Sequence, residues 1–307
     1  MANGIIIIDK PADWTSMDVC AKLRGILKTK KVGHAGTLDP MATGVLPLLL
    51  GRAAKAADLL PDTAKEYRAA FRFGERTDTG DVTGKTVETD SRAVSRNSLD
   101  LALDGFRGQI SQIPPMYSAV SVHGKRLYEL ARKGIEVERE ARKIYIEKLV
   151  LEAYSPENRE GVLRVACSKG TYIRTLIEDI AKSVGTCGVM TGLRRVRACG
   201  FQETEAHTLE ELRELAAQGA LRQVLLPIDR VFGEYPAVRT SPAQALRFCN
   251  GGSLSMDRLY MPKITVRQGM RFRLYGPERV FLGLAQAAPE SGELKFLKLF
   301  REQEDAL

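Results

Sequence analysis

Four consecutive isoleucines in Gly4-Ile5-Ile6-Ile7-Ile8-Asp9-Lys10 constrain this chain more than any other feature. A short unbroken run of β-branched residues reads as a strand buried in a core, which needs strands to pair with and layers to cover it. No basic segment or small-residue cleavage site accompanies the run, so it is not a secretion signal. The apolar run from Val45 to Leu50 is interrupted by Pro47 and falls far short of the roughly 20 residues that span a bilayer. The expectation is a cytoplasmic globular protein with no membrane association.

At 307 residues the chain passes the roughly 250–300 residues at which one core stops growing. A large domain and a small one are expected. Thr15-x-x-Asp18 resembles a capping box, and Val19, Leu23, Ile26 and Leu27 stripe a helix running to about Lys28. Residues 32–44, punctuated by Gly33, Gly36, Pro40 and Gly44, read as loop. Alternation of Tyr67, Ala69, Phe71 and Phe73 with polar residues predicts a strand over 65–73. Helices are expected over 98–106, from Ile173 to Val184, after Thr208 and from Ser241. Strands are expected over 116–122, 143–154 and 162–168. Short alternating strands at 270–274, 280–284 and 294–300 give the tail a different texture. The division is therefore 1–233, an α+β domain, and 234–307, a small β-rich module.

Five scattered cysteines without a C-x-x-C pair indicate free thiols, and His34, His123 and His207 lie too far apart to suggest a metal site. Between Asp18 and Asp58 seven basic residues surround one acidic residue, Asp39. It lies in the glycine-punctuated loop Gly33-His34-Ala35-Gly36-Thr37-Leu38-Asp39-Pro40. An ionised carboxylate in a positive field suits a nucleophile or base, but by composition alone these residues read first as an Asp-Pro turn starter beside a solvated basic helix. Asp78, beside Arg76, is a second candidate. Gly80 to Thr86 imitates a phosphate-binding loop, but its spacing is one residue short and a strand follows. Arg174 opens a helix, the unfavourable end for a cation, and either pairs locally with Glu178 or points at a distant carboxylate. The segment from His123 to Lys148 holds eight Lys or Arg and five Glu, interleaved with Tyr128 and Tyr145. Arg194, Arg195 and Arg197 have no acid nearby in sequence, which favours phosphate contact.

Taken together, Asp9-Lys10-Pro11, Trp14-Thr15-Ser16, Gly33 to Pro40 running on to Gly44-Val45-Leu46-Pro47, Lys65-Glu66-Tyr67, Arg76 to Asp81, Gln112 to Ala119 and Cys167 to Arg174 resemble the TruB family, the bacterial tRNA pseudouridine-55 synthases. The resemblance implies a pseudouridine-synthase catalytic domain, a mixed antiparallel sheet with flanking helices, over 1–233. It also implies an insertion at about 121–143 that folds over RNA and a PUA-like RNA-binding module over 234–307. Asp39 aligns with the nucleophile, Tyr67 with the tyrosine that packs on the target base, and Arg174 with the arginine that pairs with the aspartate. Tyr67 is also the nearest matched group for the final proton loss from C5. His34 aligns with the histidine supporting the flipped nucleotide, and Leu193 with the base pocket. Lys10, Tyr172, Arg194, Arg195, Lys125 and Arg126 are the remaining expected substrate contacts. The implied partner is the tRNA T-arm, with no cofactor, no metal and no obligatory protein partner. A tRNA-folding role could accompany catalysis. The alternative is a non-catalytic RNA-binding or RNA-folding protein of the same fold.

Overall fold

A computed structural model describes residues 3–122 and 124–301; His123, which opens the basic segment, lies outside the described residues. The isoleucines form β1 (Gly4–Lys10), buried on both faces. Ile5 and Ile7 meet Val45, Leu49 and Phe232, whereas Ile6 and Ile8 meet Val19, Leu23, Leu46 and Leu48. Part of the second layer is α1 (Ser16–Leu27). The Thr15 hydroxyl accepts from the Asp18 N–H, and the Asp18 carboxylate accepts from the Thr15 N–H, so the acid one methylene shorter than Glu still closes the capping box.

The chain continues through β2 (Val32–His34), β3 (Thr43–Leu50), β4 (Lys65–Phe73) and a hairpin of β5 (Glu75–Thr77) and β6 (Thr86–Thr89). Next come α2 (Arg96–Leu103), β7 (Gly108–Gln112) and a second hairpin, β8 (Ser121–Val122) with β9 (Lys125–Arg126), leading into α3 (Leu127–Ala131). The long strands β10 (Arg142–Ser155) and β11 (Glu160–Cys167) precede α4 (Ile173–Ser183), β12 (Gly188–Ala198), β13 (Phe201–Gln202) and α5 (Leu209–Ala217). The main sheet runs β1-β3-β12-β4-β11-β10-β7, with β2 and β13 attached to β3 and β12. All its pairings are antiparallel except β3 with β12, so the sheet is mixed.

After Phe232 a second sheet forms from β14 (Ala237–Arg239), β15 (Leu254–Ser255), β16 (Arg271–Tyr275), β17 (Phe281–Ala288) and β18 (Glu293–Leu299), with α6 (Pro242–Cys249) beside it. Phe248, Phe272, Leu274 and Leu294 build its own core. Leu284 and Phe300 instead join Ile5, Val45 and Phe232 of the main body. The α+β architecture is as expected, and the five cysteines are free and buried.

Three details correct the expectations. Residues 116–122 form a strand only at Ser121–Val122. Strands β2 and β3 take up both ends of the supposed loop at 32–44. Central strand β12 was not anticipated, because its three arginines hide its alternation.

The sheet forks at β3. Its outer edge pairs with β12 at Thr43 and Gly44, and with β2 at Leu48 to Leu50. Gly44 is required there: its φ is +99°, and a Cβ would strike the Arg195 backbone. Residues 35–42 leave through the gap between the two pairings.

Candidate active site

Four anchors hold the loop in that gap. The Ala35 N–H donates to the Pro47 carbonyl at 2.9 Å. The Ser16 hydroxyl accepts from the Leu38 N–H (2.9 Å) and donates to the Leu38 carbonyl (3.3 Å). Arg195 donates to the carbonyls of Val45, Thr37 and Gly36 at 2.7, 3.3 and 3.1 Å. Lys10 donates to those of Pro11, Trp14 and Pro40 at 2.7, 2.6 and 3.0 Å. Both cations are fully buried. Lys10 thus spends its protons on backbone carbonyls inside the protein, and Arg195 spends three of its own in the same way while also meeting the Tyr67 hydroxyl. Burial pushes Lys10 down to about 8.

The loop carries Asp39 to the wall of a cleft of about 1030 Å³. A turn closed by Ala42 N–H on the Asp39 carbonyl sets its direction. The Arg174 Nε lies 3.1 Å from the Asp39 Oδ2, while Glu178 is not an ion-pair partner among the described residues. The other two guanidinium nitrogens donate at 2.8 Å to the carbonyls of Thr79 and Tyr117, and Asp81 stands 3.8 Å away. Asp39 is therefore not a lone carboxylate: Arg174 stands between two. Desolvation raises the Asp39 carboxyl above the ordinary carboxylate range; Arg174 and Lys10 pull it down and Asp81 pushes it up. A partly exposed carboxylate on a cleft wall, aimed by a guanidinium, is a competent nucleophile or base.

Tyr67, on β4, and Leu193, on β12, line the same cleft. Burial pushes the Tyr67 phenol up to about 12, so it keeps its proton at neutral pH and offers a ring and a donor rather than a phenolate. His34 also lines the cleft; burial and Arg195 lower its pKa, and its buried Nδ1 has no hydrogen-bond partner among the described residues. Tyr172 caps α4, and its backbone is gripped by the buried amide of Gln112, which accepts from the Tyr172 N–H (2.7 Å) and donates to its carbonyl (3.1 Å). Lys125 and Arg126 are exposed on β9, and Arg126 reaches the cleft mouth with Tyr128 and Arg132. Arg194 lies half open on the central strand β12. Its expected freedom from acids does not hold, since Asp9 accepts two of its hydrogen bonds and Glu203 a third. Arg197 likewise lies 3.6 Å from Asp62. Asp78 accepts from the Lys85 N–H at the surface, away from the cleft.

Sequence reasoning missed Gln112, Asp81 and Lys65 as members of the site, though all three stand inside the matched motifs. Residues 24–173 match the TruB family pseudouridylate synthase N-terminal domain, and 174–232 match the tRNA pseudouridylate synthase B C-terminal domain. A Chromobacterium violaceum protein called tRNA pseudouridine synthase B is 40% identical over 305 residues, covering 99% of this chain and 96% of that protein. A protein of the same name from Azoarcus sp. is 44% identical over 255 residues, covering 83% of this chain and 84% of that one. Among solved structures, a crystal structure of a Cbf5-Nop10-Gar1 complex contains a chain with the same fold. Its TM-score is 0.78 at 24% identity, covering 99% of this chain and 87% of that chain.

Proposed function

Because the chain belongs to the TruB family of pseudouridine synthases, we propose that its cleft receives uridine-55 of the tRNA T-loop and that Asp39 carries the isomerisation. At the coarser level the chain is an isomerase that makes pseudouridine in tRNA. The observation that carries the finer reading is the Asp39–Arg174 pair on the wall of a cleft that also presents Tyr67 and Leu193. A stacked uridine reaches such a cleft only by flipping out of the RNA. Tyr67 and Leu193 then receive the base, and the neutral His34 supports the nucleotide. Asp39 attacks the nucleotide or takes a sugar proton, while Arg174 keeps it aimed. Tyr172 completes the wall above α4.

Lys125, Arg126 and the hairpin–helix insertion at 121–143 belong to the T-arm surface, with Arg194 at its margin. The division into 1–233 and 234–307, with a PUA-like RNA-binding role for the second sheet, is part of the same proposal. So is a tRNA-folding role alongside catalysis. Incubation with unmodified tRNA, followed by mapping of pseudouridine at single-nucleotide resolution, tests the reading. Product at position 55 from the wild type and none from Asp39→Asn is expected. Product elsewhere, or a fully active variant, overturns it.

A further inference from the structure

Lys65 opens β4 two residues before Tyr67, so both side chains leave the same face of the strand, and both line the cleft. Among the described residues its ammonium meets no hydrogen-bond acceptor and no carboxylate. The groups that face it are the Arg195 guanidinium and the thiols of Cys167 and Cys199. A Cβ on Gly36 would lie 3.7 Å from the Lys65 Nζ and 3.6 Å from the Arg195 Nη1, so the two cations crowd the same space beneath the Asp39 loop. Arg195 holds three carbonyls and meets the Tyr67 hydroxyl, whereas Lys65 holds none of these groups. Burial and Arg195 hold Lys65 below the usual lysine range. A half-buried cation with no protein acceptor among the described residues, facing a cleft, is placed to meet negative charge on whatever enters it.

We propose that Lys65 stabilises the uracil ring as an anion once it has left the ribose, a role that rests on uridine being the occupant of this cleft. When the C1′–N1 bond breaks, its electron pair departs with the ring, and the charge spreads over N1, O2 and O4. After the ring turns, C5 supplies the pair for the C5–C1′ bond, C5 loses its proton and N1 gains one. The product is an isomer, with no oxidant or carrier consumed. In every route open to Asp39 the ring carries that pair, and a fixed cation beside the Tyr67 platform meets the charge as it develops. A donor aimed at developing charge in a water-poor site is typically worth about 100–1,000-fold in rate. A phosphate would instead be met at the cleft mouth, where Arg126 and Arg132 stand.

The test compares single-turnover isomerisation by wild type and Lys65→Met on tRNA carrying uridine or 5-fluorouridine at the target position. Fluorine at C5 stabilises the detached ring anion by itself. Lys65→Met should slow the uridine reaction about 100-fold. Its tRNA affinity should be unchanged, and rearrangement of the 5-fluorouridine substrate should suffer much less. Equal losses on both substrates, weaker binding with an unchanged rate of bound RNA, or no effect each overturn the proposal. Should thermal melting reveal that Lys65→Met is unfolded, Lys65→Gln carries the same comparison. A wild-type enzyme that forms no pseudouridine at this position sinks the parent reading instead, before any variant is made.

Discussion

Replacing Arg174 by lysine keeps the charge and removes the geometry. The guanidinium works in three directions at once: Nε toward Asp39 at 3.1 Å, and the other nitrogens toward the Thr79 and Tyr117 carbonyls at 2.8 Å. An ammonium on a shorter stem reaches one of these groups and abandons the others. Two part-buried carbonyls left without this donor cost up to about 1–3 kcal/mol each, so the variant should lose at most roughly 2–6 kcal/mol of stability and melt lower. A nucleophile displaced by about 1 Å loses on the order of 100-fold in rate. Single-turnover pseudouridine formation should therefore fall by about two orders of magnitude, with tRNA affinity nearly intact because it comes mainly from phosphate contacts. Measuring melting and rate on the same preparation separates the effects. Glu178→Gln, on the same helix, should change neither. An Arg174→Lys enzyme that reacts and melts like wild type would refute the three-way clamp, and so would a Glu178→Gln enzyme as impaired as Arg174→Lys.

Asp39→Asn should abolish turnover while leaving tRNA binding within a few-fold. Its melting temperature should not fall, because the folded state raises this carboxyl and the charged form is held at a cost. The sign follows: between the ordinary carboxylate value and the raised one, the native state holds the extra proton. Stability thus declines as pH rises through that window, and kcat/KM should decline as pH falls through it. In salt titrations of tRNA binding, neutralising Lys125 and Arg126 should lower the slope of log K against log salt by about 0.7–0.9 for each phosphate these side chains cease to neutralise. Neutralising Arg194 and Arg197, already paired with acids, should barely move it. Truncation after Gly233 should give aggregated protein rather than an active enzyme with weak affinity, since it strips Leu284 and Phe300 from Ile5, Val45 and Phe232; a soluble, active 1–233 fragment would contradict this.

Local signals are legible where periodicity or capping dominates. The strand at 65–73 and the helix from Thr15 follow directly from alternation and from a cap whose residues are adjacent in sequence. Asp39 by itself reads as an Asp-Pro turn, because the arginine that gives it meaning lies in another helix, far along the chain. Arg195 is hard to read for a related reason. A basic residue reads as surface or phosphate contact when nearby acids are absent, yet backbone carbonyls satisfy a buried cation equally well and leave no mark in composition. Arg194 shows the converse, finding Asp9 only after β1 and β12 have been brought together by folding.

The side chain of Arg195 fills the gap where β2 and β12 part from β3, standing in for a strand that is not there. A loop secured in this way inherits the opening free energy of the sheet, because residues 35–42 cannot swing out until the sheet itself parts. The Asp39 carboxylate thus stands as a fixed post rather than a mobile arm. On the proposed function, accommodation of a bulky RNA would fall to the cleft mouth, where Arg126, Tyr128 and Arg132 belong to a two-residue-deep hairpin and a single helical turn held mostly by short-range interactions. One rim is stiff enough to aim, and the other is soft enough to admit.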